Sequence, residues 1–275
     1  MTLEEAIAKI KPLDHNAMEI AQKRWDSIAK PLHSLGKLET LLIQIAGITG
    51  NAEVDLSRRG LIAMCADNGV VEEGVTQTGQ EVTAIVAENF LKYDTSVGVM
   101  CKQNHAEIFP VDMGMVTDTK VRTDHKIAYG TQNMTKGPAM TREQAVKGLE
   151  AGIDMVRELN DKGYRILATG EMGIGNTTTS SAVASVLLKQ PVEEMTGRGA
   201  GLTSEGLVRK INAIKKAIAL NEPDSEDAID VLAKVGGLDI AGMAGVFLGG
   251  AVYGIPVVMD GFISCVSALI AMRIC

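Results

Sequence analysis

One stretch constrains the fold more than any other: an apolar run, a glycine-rich turn and a helix of small residues in immediate succession. Tyr164-Arg165-Ile166-Leu167-Ala168 reads as a buried strand, and residues 180–188 read as a helix rich in Ser, Ala and Val. Between them runs Gly170-Glu171-Met172-Gly173-Ile174-Gly175-Asn176-Thr177-Thr178-Thr179. Glycines at 170, 173 and 175 allow a tight turn and a close approach of backbone to ligand. The helix start offers free N–H groups and the positive end of a dipole, which together suit a phosphate. Asn176 or Thr177 reads as the N-cap. A carboxylate beside a phosphate would repel it, so Glu171 is expected to face a sugar hydroxyl or a ring N–H. The bland alternative is a strand-to-helix turn without ligand. The spacing G-x-x-G-x-G departs from the dinucleotide fingerprint, and no Gly-Lys-Ser/Thr follows as a triphosphate loop requires.

The same alternation recurs along the chain. Strands are expected at residues 60–66, 106–112, 164–168 and 255–260, and helices at 2–11, roughly 14–50, 82–93, 141–162, 180–188, 208–220 and 226–235. Thr2 with Glu5 forms a capping box, Pro12 ends that first helix, and Ser225 reads as the N-cap of the helix at 226–235. The expected fold is α/β, a mostly parallel, Rossmann-like sheet with helices on both faces, plus a small helical domain. Residues 1–50 are assigned to the N-terminal part of the small helical domain and 51–275 to an α/β nucleotide-binding domain.

Parallel sheets collect ligands at the carboxyl ends of their strands. Asp67 and Asn68, Asp112, Glu171 and Asp260 each fall at such an end. Any one of them alone reads as a cap or turn residue, whereas four strand ends together read as the rim of a pocket. A second polar cluster, Thr196-Gly197-Arg198-Gly199-Ala200-Gly201-Leu202 with Arg209-Lys210, places a cation where it could complete an anion site. Without those neighbours Lys210 would read as an ordinary solvated helix residue.

With 46% hydrophobic but 3% aromatic residues, the core must be built from aliphatics and 14 methionines. A net charge of −7 argues against nucleic acid or an anionic membrane as partner. The longest apolar run, 240–259, holds five glycines and a proline and reads as helix, turn and strand, not a membrane span. Met1-Thr2-Leu3-Glu4-Glu5 is acidic where a signal peptide needs a basic start. Neither the four cysteines nor the four histidines show metal spacing, and Cys65 and Cys265 read as buried thiols. A cytoplasmic protein with no metal and no cofactor is expected.

Five signatures, in order, carry a resemblance over essentially the whole chain. They are Lys30-Pro31-Leu32-His33-Ser34-Leu35-Gly36-Lys37-Leu38-Glu39; Ala66-Asp67-Asn68-Gly69-Val70 with Gly74-Val75 and Gln80-Glu81-Val82-Thr83; the 170–178 turn; the 196–202 cluster with Arg209-Lys210; and Met259-Asp260-Gly261-Phe262-Ile263-Ser264. The chain resembles the nicotinate-nucleotide–dimethylbenzimidazole phosphoribosyltransferase family, although many members carry His where this chain has Asn68. The resemblance implies transfer of ribose 5-phosphate from nicotinate mononucleotide to a benzimidazole with inversion, for cobalamin biosynthesis, by a homodimer. It also implies a phosphate cradle from Gly173, Ile174, Gly175, Asn176 and Thr177 with Lys210. Asp67 joins the pocket rim, Gln80 contacts the acceptor base, and Glu171, Asp239 and Asp260 lie around base and ribose. Family members carry a C-terminal Gly-Glu-Gly-Thr-Gly-Ala motif whose glutamate is assigned as general base, and no such motif occurs through Cys275. Weak binding or slow transfer is therefore expected unless a desolvated Glu171 replaces that base. The alternative is a non-catalytic relative that binds a nucleotide or an azole.

Overall fold

A computed structural model describes residues 1–275. Its centre is a four-stranded, all-parallel sheet of order β2-β1-β3-β4, with β1 at Arg59–Ala66, β2 at Ala106–Gly114, β3 at Ile166–Met172 and β4 at Val257–Val258. The chain leaves β1 to form β2 on one side, then crosses back to form β3 on the other. The crevice between the carboxyl ends of β1 and β3 is thus a topological switch point, where open parallel sheets bind ligands.

The helices follow sequence patterning closely. Three come first: α1 (Leu3–Ile7), α2 (His15–Ser27) and α3 (Lys37–Thr49). The Thr2/Glu5 capping box forms as expected, but the helix stops at Ile7 with Ala8 as its C-cap, well before Pro12. The anticipated helix at 14–50 is instead two, α2 and α3, because Pro31 and positive φ at His33 and Gly36 break it. That break is wrapped around Glu39, which is 3% exposed, pairs with Lys30 at 2.9 Å and accepts the Leu35 N–H at 3.0 Å. A 3₁₀ turn at Gly69–Glu73 precedes α4 (Glu81–Lys92) and α5 (Ser96–Gln103). The helix α6 (Arg142–Asp161) carries a second capping box, from Thr141 and Gln144.

Beyond β3 come α7 (Asn176–Leu188), the short α8 (Val192–Met195), α9 (Ser204–Asn221), α10 (Ala228–Val235), α11 (Leu238–Tyr253) and, after β4, α12 (Phe262–Ile274). The α10 helix starts later than expected. Asp227, not Ser225, is its N-cap, because the Asp227 carboxylate reaches the N–H groups of Ile229 and Asp230. No helix is long and apolar enough to cross a membrane.

The two faces of the sheet differ. The larger hydrophobic cluster, 45 buried residues, lies on the face covered by α11, against which α6 and α12 pack, compared with nine on the α4/α5 face. Glycines let α6 and α11 touch backbone to backbone: a Cβ at Gly152 would overlap the Gly242 carbonyl, and one at Gly245 would overlap that of Leu149. On the other face α4 and α5 cover β1, β2 and only the edge of β3. The remaining surface of β3 and β4 is a slot, and Val258 at its edge is exposed. Cys65 is buried in β1 as expected, but Cys265 is exposed on α12.

Candidate active site

The glycine turn begins later than its sequence suggests. Gly170, Glu171 and Met172 continue the parallel ladder, with Met64 opposite Glu171 and Cys65 opposite Met172. Glu171 is therefore a strand-end residue and not a loop residue. The helix N-cap is Gly175, at φ 97°, and not Asn176 or Thr177, which already lie inside α7. This assignment follows from the turn itself, since only glycine takes that φ without strain. Gly173 is held equally tightly: a Cβ there would overlap Asp239 Oδ2 and stand 2.6 Å from the Ala66 carbonyl. Thr83, from α4, accepts the Ile174 N–H at 3.1 Å and pins the turn from the opposite side.

Gly173, Ile174, Gly175, Asn176 and Thr177 line a cavity of ≈ 130 Å³ at the N-terminus of α7. Two further loops close it: residues 75–78 before α4, and residues 198–202 before α9. The loops are tied to each other by Gln77, whose amide donates to the Gly201 carbonyl. Arg198 supplies a cationic side chain to this wall, donating to Leu202 O at 2.8 Å and to Ser204 Oγ at 3.2 Å. The cavity suits a phosphate: free N–H groups at a helix start, a dipole end and a cation are concentrated in a space too small for a whole nucleotide.

Lys210 lies behind this wall, 1% exposed, donating to Thr177 Oγ1 at 2.8 Å and Gly197 O at 3.1 Å. Burial holds its ammonium well below the usual lysine range, at about 8. Lys210 thus couples α7 to the 196–202 loop, and its charge reaches the cavity through Thr177.

A second concavity, of ≈ 420 Å³, opens on the uncovered face beside β3 and β4. Phe90, Val97, Met100 and Met259 supply apolar wall, and Glu171 and Asp260 are its two carboxylates. Burial raises the Glu171 pKa above the usual carboxylate range, and the negative charge of Asp260 raises it further. The Asn176 amide donates to Glu171 Oε2, which partly offsets that rise. One stretch of chain therefore serves both concavities, with Glu171 at the slot and residues 173–177 at the helix end.

The other expected site residues line neither concavity. Asp67 is 0% exposed, accepts the Val116 N–H at 2.9 Å through Oδ2, and leaves Oδ1 without a partner. Burial raises its pKa. Gln80 is half-buried and donates to the Asn68 carbonyl at 3.3 Å. Asp239, at the start of α11, is 0% exposed beneath the turn, 2.8 Å from Asn176 Nδ2, with its pKa pushed up to about 7 by burial. Asp112 lies within β2, where it pairs with Lys126 at 3.2 Å and accepts the Met115 N–H at 2.7 Å.

Sequence reasoning missed the whole of α5, which gives Ser96, Val97 and Met100 to the slot. The signal was present: Thr95 caps the helix by accepting the Gly98 N–H, and apolar residues recur behind it.

The family model described as Phosphoribosyltransferase matches residues 10–275. A relative from Ruminiclostridium cellulolyticum, named nicotinate-nucleotide–dimethylbenzimidazole phosphoribosyltransferase, is 52% identical over 276 residues, covering 100% of this chain and 78% of its own. A protein of the same name from Clostridium acetobutylicum matches with the same identity and coverage. The crystal structure of CobT from Thermus thermophilus superposes with a TM-score of 0.88 at 36% identity, covering 94% of this chain and 78% of that one. The chain belongs to the nicotinate-nucleotide–dimethylbenzimidazole phosphoribosyltransferase family.

Proposed function

We propose that the protein transfers ribose 5-phosphate from nicotinate mononucleotide to 5,6-dimethylbenzimidazole, releasing nicotinate and forming α-ribazole 5'-phosphate for cobalamin biosynthesis. The observation that carries this reading is the single β3–α7 stretch, which joins a phosphate-sized cavity to an apolar slot holding a partly desolvated carboxyl. The donor's phosphate occupies the cavity, anchored by the N–H groups at the start of α7, with Lys210 and Arg198 supplying positive charge. The apolar ring of the acceptor occupies the slot between Met100 and Met259.

The chemistry needs little more. The acceptor nitrogen attacks C1' of the ribose from the face opposite the pyridinium. A C1'–N bond forms, the C1'–nicotinate bond breaks, and the leaving electrons neutralise the pyridinium nitrogen. Attack from the opposite face inverts the β-linked donor into an α-linked product. The acceptor's N–H proton goes to a general base, a role we assign in this chain to Glu171, whose carboxylate burial makes more basic than an exposed one. Asp260 contacts ribose or base at the slot edge, while Gln80 holds the Asn68 carbonyl and Asp67 the Val116 N–H at the end of β1.

The protein is proposed to be cytoplasmic, where its nucleotide donor is found, with residues 1–50 as a small helical unit. It is further proposed to be a homodimer, because the 30–42 segment presents Leu32, Leu35, Leu38 and Leu41 to solvent. Light scattering should then report about twice 29.1 kDa. The reaction is tested by incubating the chain with nicotinate mononucleotide and dimethylbenzimidazole, detecting α-linked nucleotide by chromatography and donor binding by calorimetry. Turnover that disappears in Glu171→Gln while donor binding persists supports the assignment. Binding without turnover in the native sequence favours the non-catalytic reading, or a base outside this chain.

A further inference from the structure

Asp239 is a buried carboxyl that the transfer step does not itself use. Two glycines make room for it: Gly173, where a Cβ would overlap Oδ2, and Gly237, where a Cβ would stand 2.5 Å from Oδ1. Gly173 lines the donor cavity and Asp239 does not, so loop backbone covers the carboxyl. Its Oδ1 accepts the Ile240 N–H at 3.0 Å, and its Oδ2 accepts from Asn176 Nδ2 at 2.8 Å. The same Nδ2 also donates to Glu171 Oε2. A carboxamide nitrogen carries two protons, and here both are committed to carboxylates. That double commitment decides which way the amide faces, with nitrogen toward the two acids. Without Asp239 one proton would be free, and the amide could turn about its last torsion, which is broad in Asn.

We propose that Asp239 is a positioning residue that acts on Glu171 through Asn176, holding the carboxamide so that the Glu171 carboxyl keeps its aim at the acceptor slot. The kinetic consequence rests on the transfer reaction proposed above, whereas the structural consequence does not. A merely structural Asp239, serving only to cap α11, would affect stability and leave Glu171 unchanged.

Two measurements test this. In the isotope-labelled chain, NMR should find the Asn176 side-chain protons protected from exchange. Asp239→Ala should remove that protection and shift the Glu171 carboxyl resonance. Asp239→Asn keeps an oxygen for Asn176 and should preserve both signals. In turnover with nicotinate mononucleotide and dimethylbenzimidazole, Asp239→Ala should lower kcat by about ten- to a hundredfold, as expected for a misplaced reacting group. The donor KM of Asp239→Ala should change by less than about threefold, and adding Asn176→Ala should cause no further loss of kcat.

A Glu171 signal indifferent to Asp239→Ala, or losses that add in the double variant, would overturn the proposal. Should Asp239→Ala fail to fold, rapid exchange of the Asn176 protons in the native sequence would overturn it equally. A native chain that folds but never turns over sinks the transfer reading, and the NMR result then decides on Asp239 alone.

Discussion

The phosphate-sized cavity and the apolar slot lie at two ends of one turn, yet they are built from different material. The cavity is chiefly backbone, made of glycines at 173, 175, 199 and 201 and the first N–H groups of α7. The slot is chiefly side chain, gathered from β1, α4, α5, β3 and the segment after β4. Backbone that approaches a ligand closely tolerates no added atom, while side chains on an open face can be exchanged one at a time. Tight specificity is therefore expected for the phosphate end of the donor and adjustable specificity for the acceptor.

The most severe way to break this contrast is Gly173→Ala. The new Cβ would overlap Asp239 Oδ2 and press on the Ala66 carbonyl, so the turn must move. Such overpacking costs about 1–3 kcal/mol. We expect donor affinity to fall by more than about a hundredfold, because the displaced N–H groups no longer converge on the phosphate. Calorimetry with nicotinate mononucleotide measures this, and unchanged affinity would mean that the turn does not hold the donor.

Lys210→Met should have the next largest effect. Losing the bonds to Thr177 and Gly197 removes a charge-assisted contact of about 1.5–3 kcal/mol, or roughly ten- to a hundredfold in donor KM. The native enzyme should show a related pH effect. Lys210 is protonated below about 8, so donor affinity should weaken as pH rises through that value, and Lys210→Met should abolish this dependence.

Asp239 gives a smaller effect, visible in stability. Its folded pKa, about 7, lies above its ordinary value of 3.8. Between those values the folded state holds a proton that the unfolded state has released. Its stabilising contribution is therefore complete below about pH 4 and lost as pH rises through 7. Thermal melts of Asp239→Asn should lack that part of the decline.

The smallest expected effect is in the slot. Met100 is exposed, and Met100→Ala should weaken the acceptor KM by about fourfold for each methylene that the ring buries. Donor KM should not move. A larger loss on the donor side would contradict the division between backbone and side-chain construction.

Much of this architecture is legible from local sequence. Capping boxes at Thr2/Glu5 and Thr141/Gln144, alternating strand and helix patterns, and the glycine turn all depend on residues within a few positions of each other. Errors arise where a local signal competes with tertiary pairing. Ser225 is a good N-cap by composition, but Asp227 reaches the free N–H groups. Glycine at 170 suggests a loop, yet the ladder against β1 continues to Met172 because Met64 and Cys65 are there to pair with it.

By itself the sequence determined that strands alternate with helices, that a glycine-rich turn between strand and helix lies at residues 173–177, and where the cations and carboxylates fall along the chain. Those are consequences of periodicity and glycine conformational freedom, which act over a few residues. Only the tertiary structure decided which of the charged groups act together. Asp239 reaches Asn176 across 63 residues, and Lys210 reaches Thr177 across 33. The packing of α11 and α9 against the β3–α7 turn sets these pairings, and burial then shifts their protonation, which no local pattern encodes.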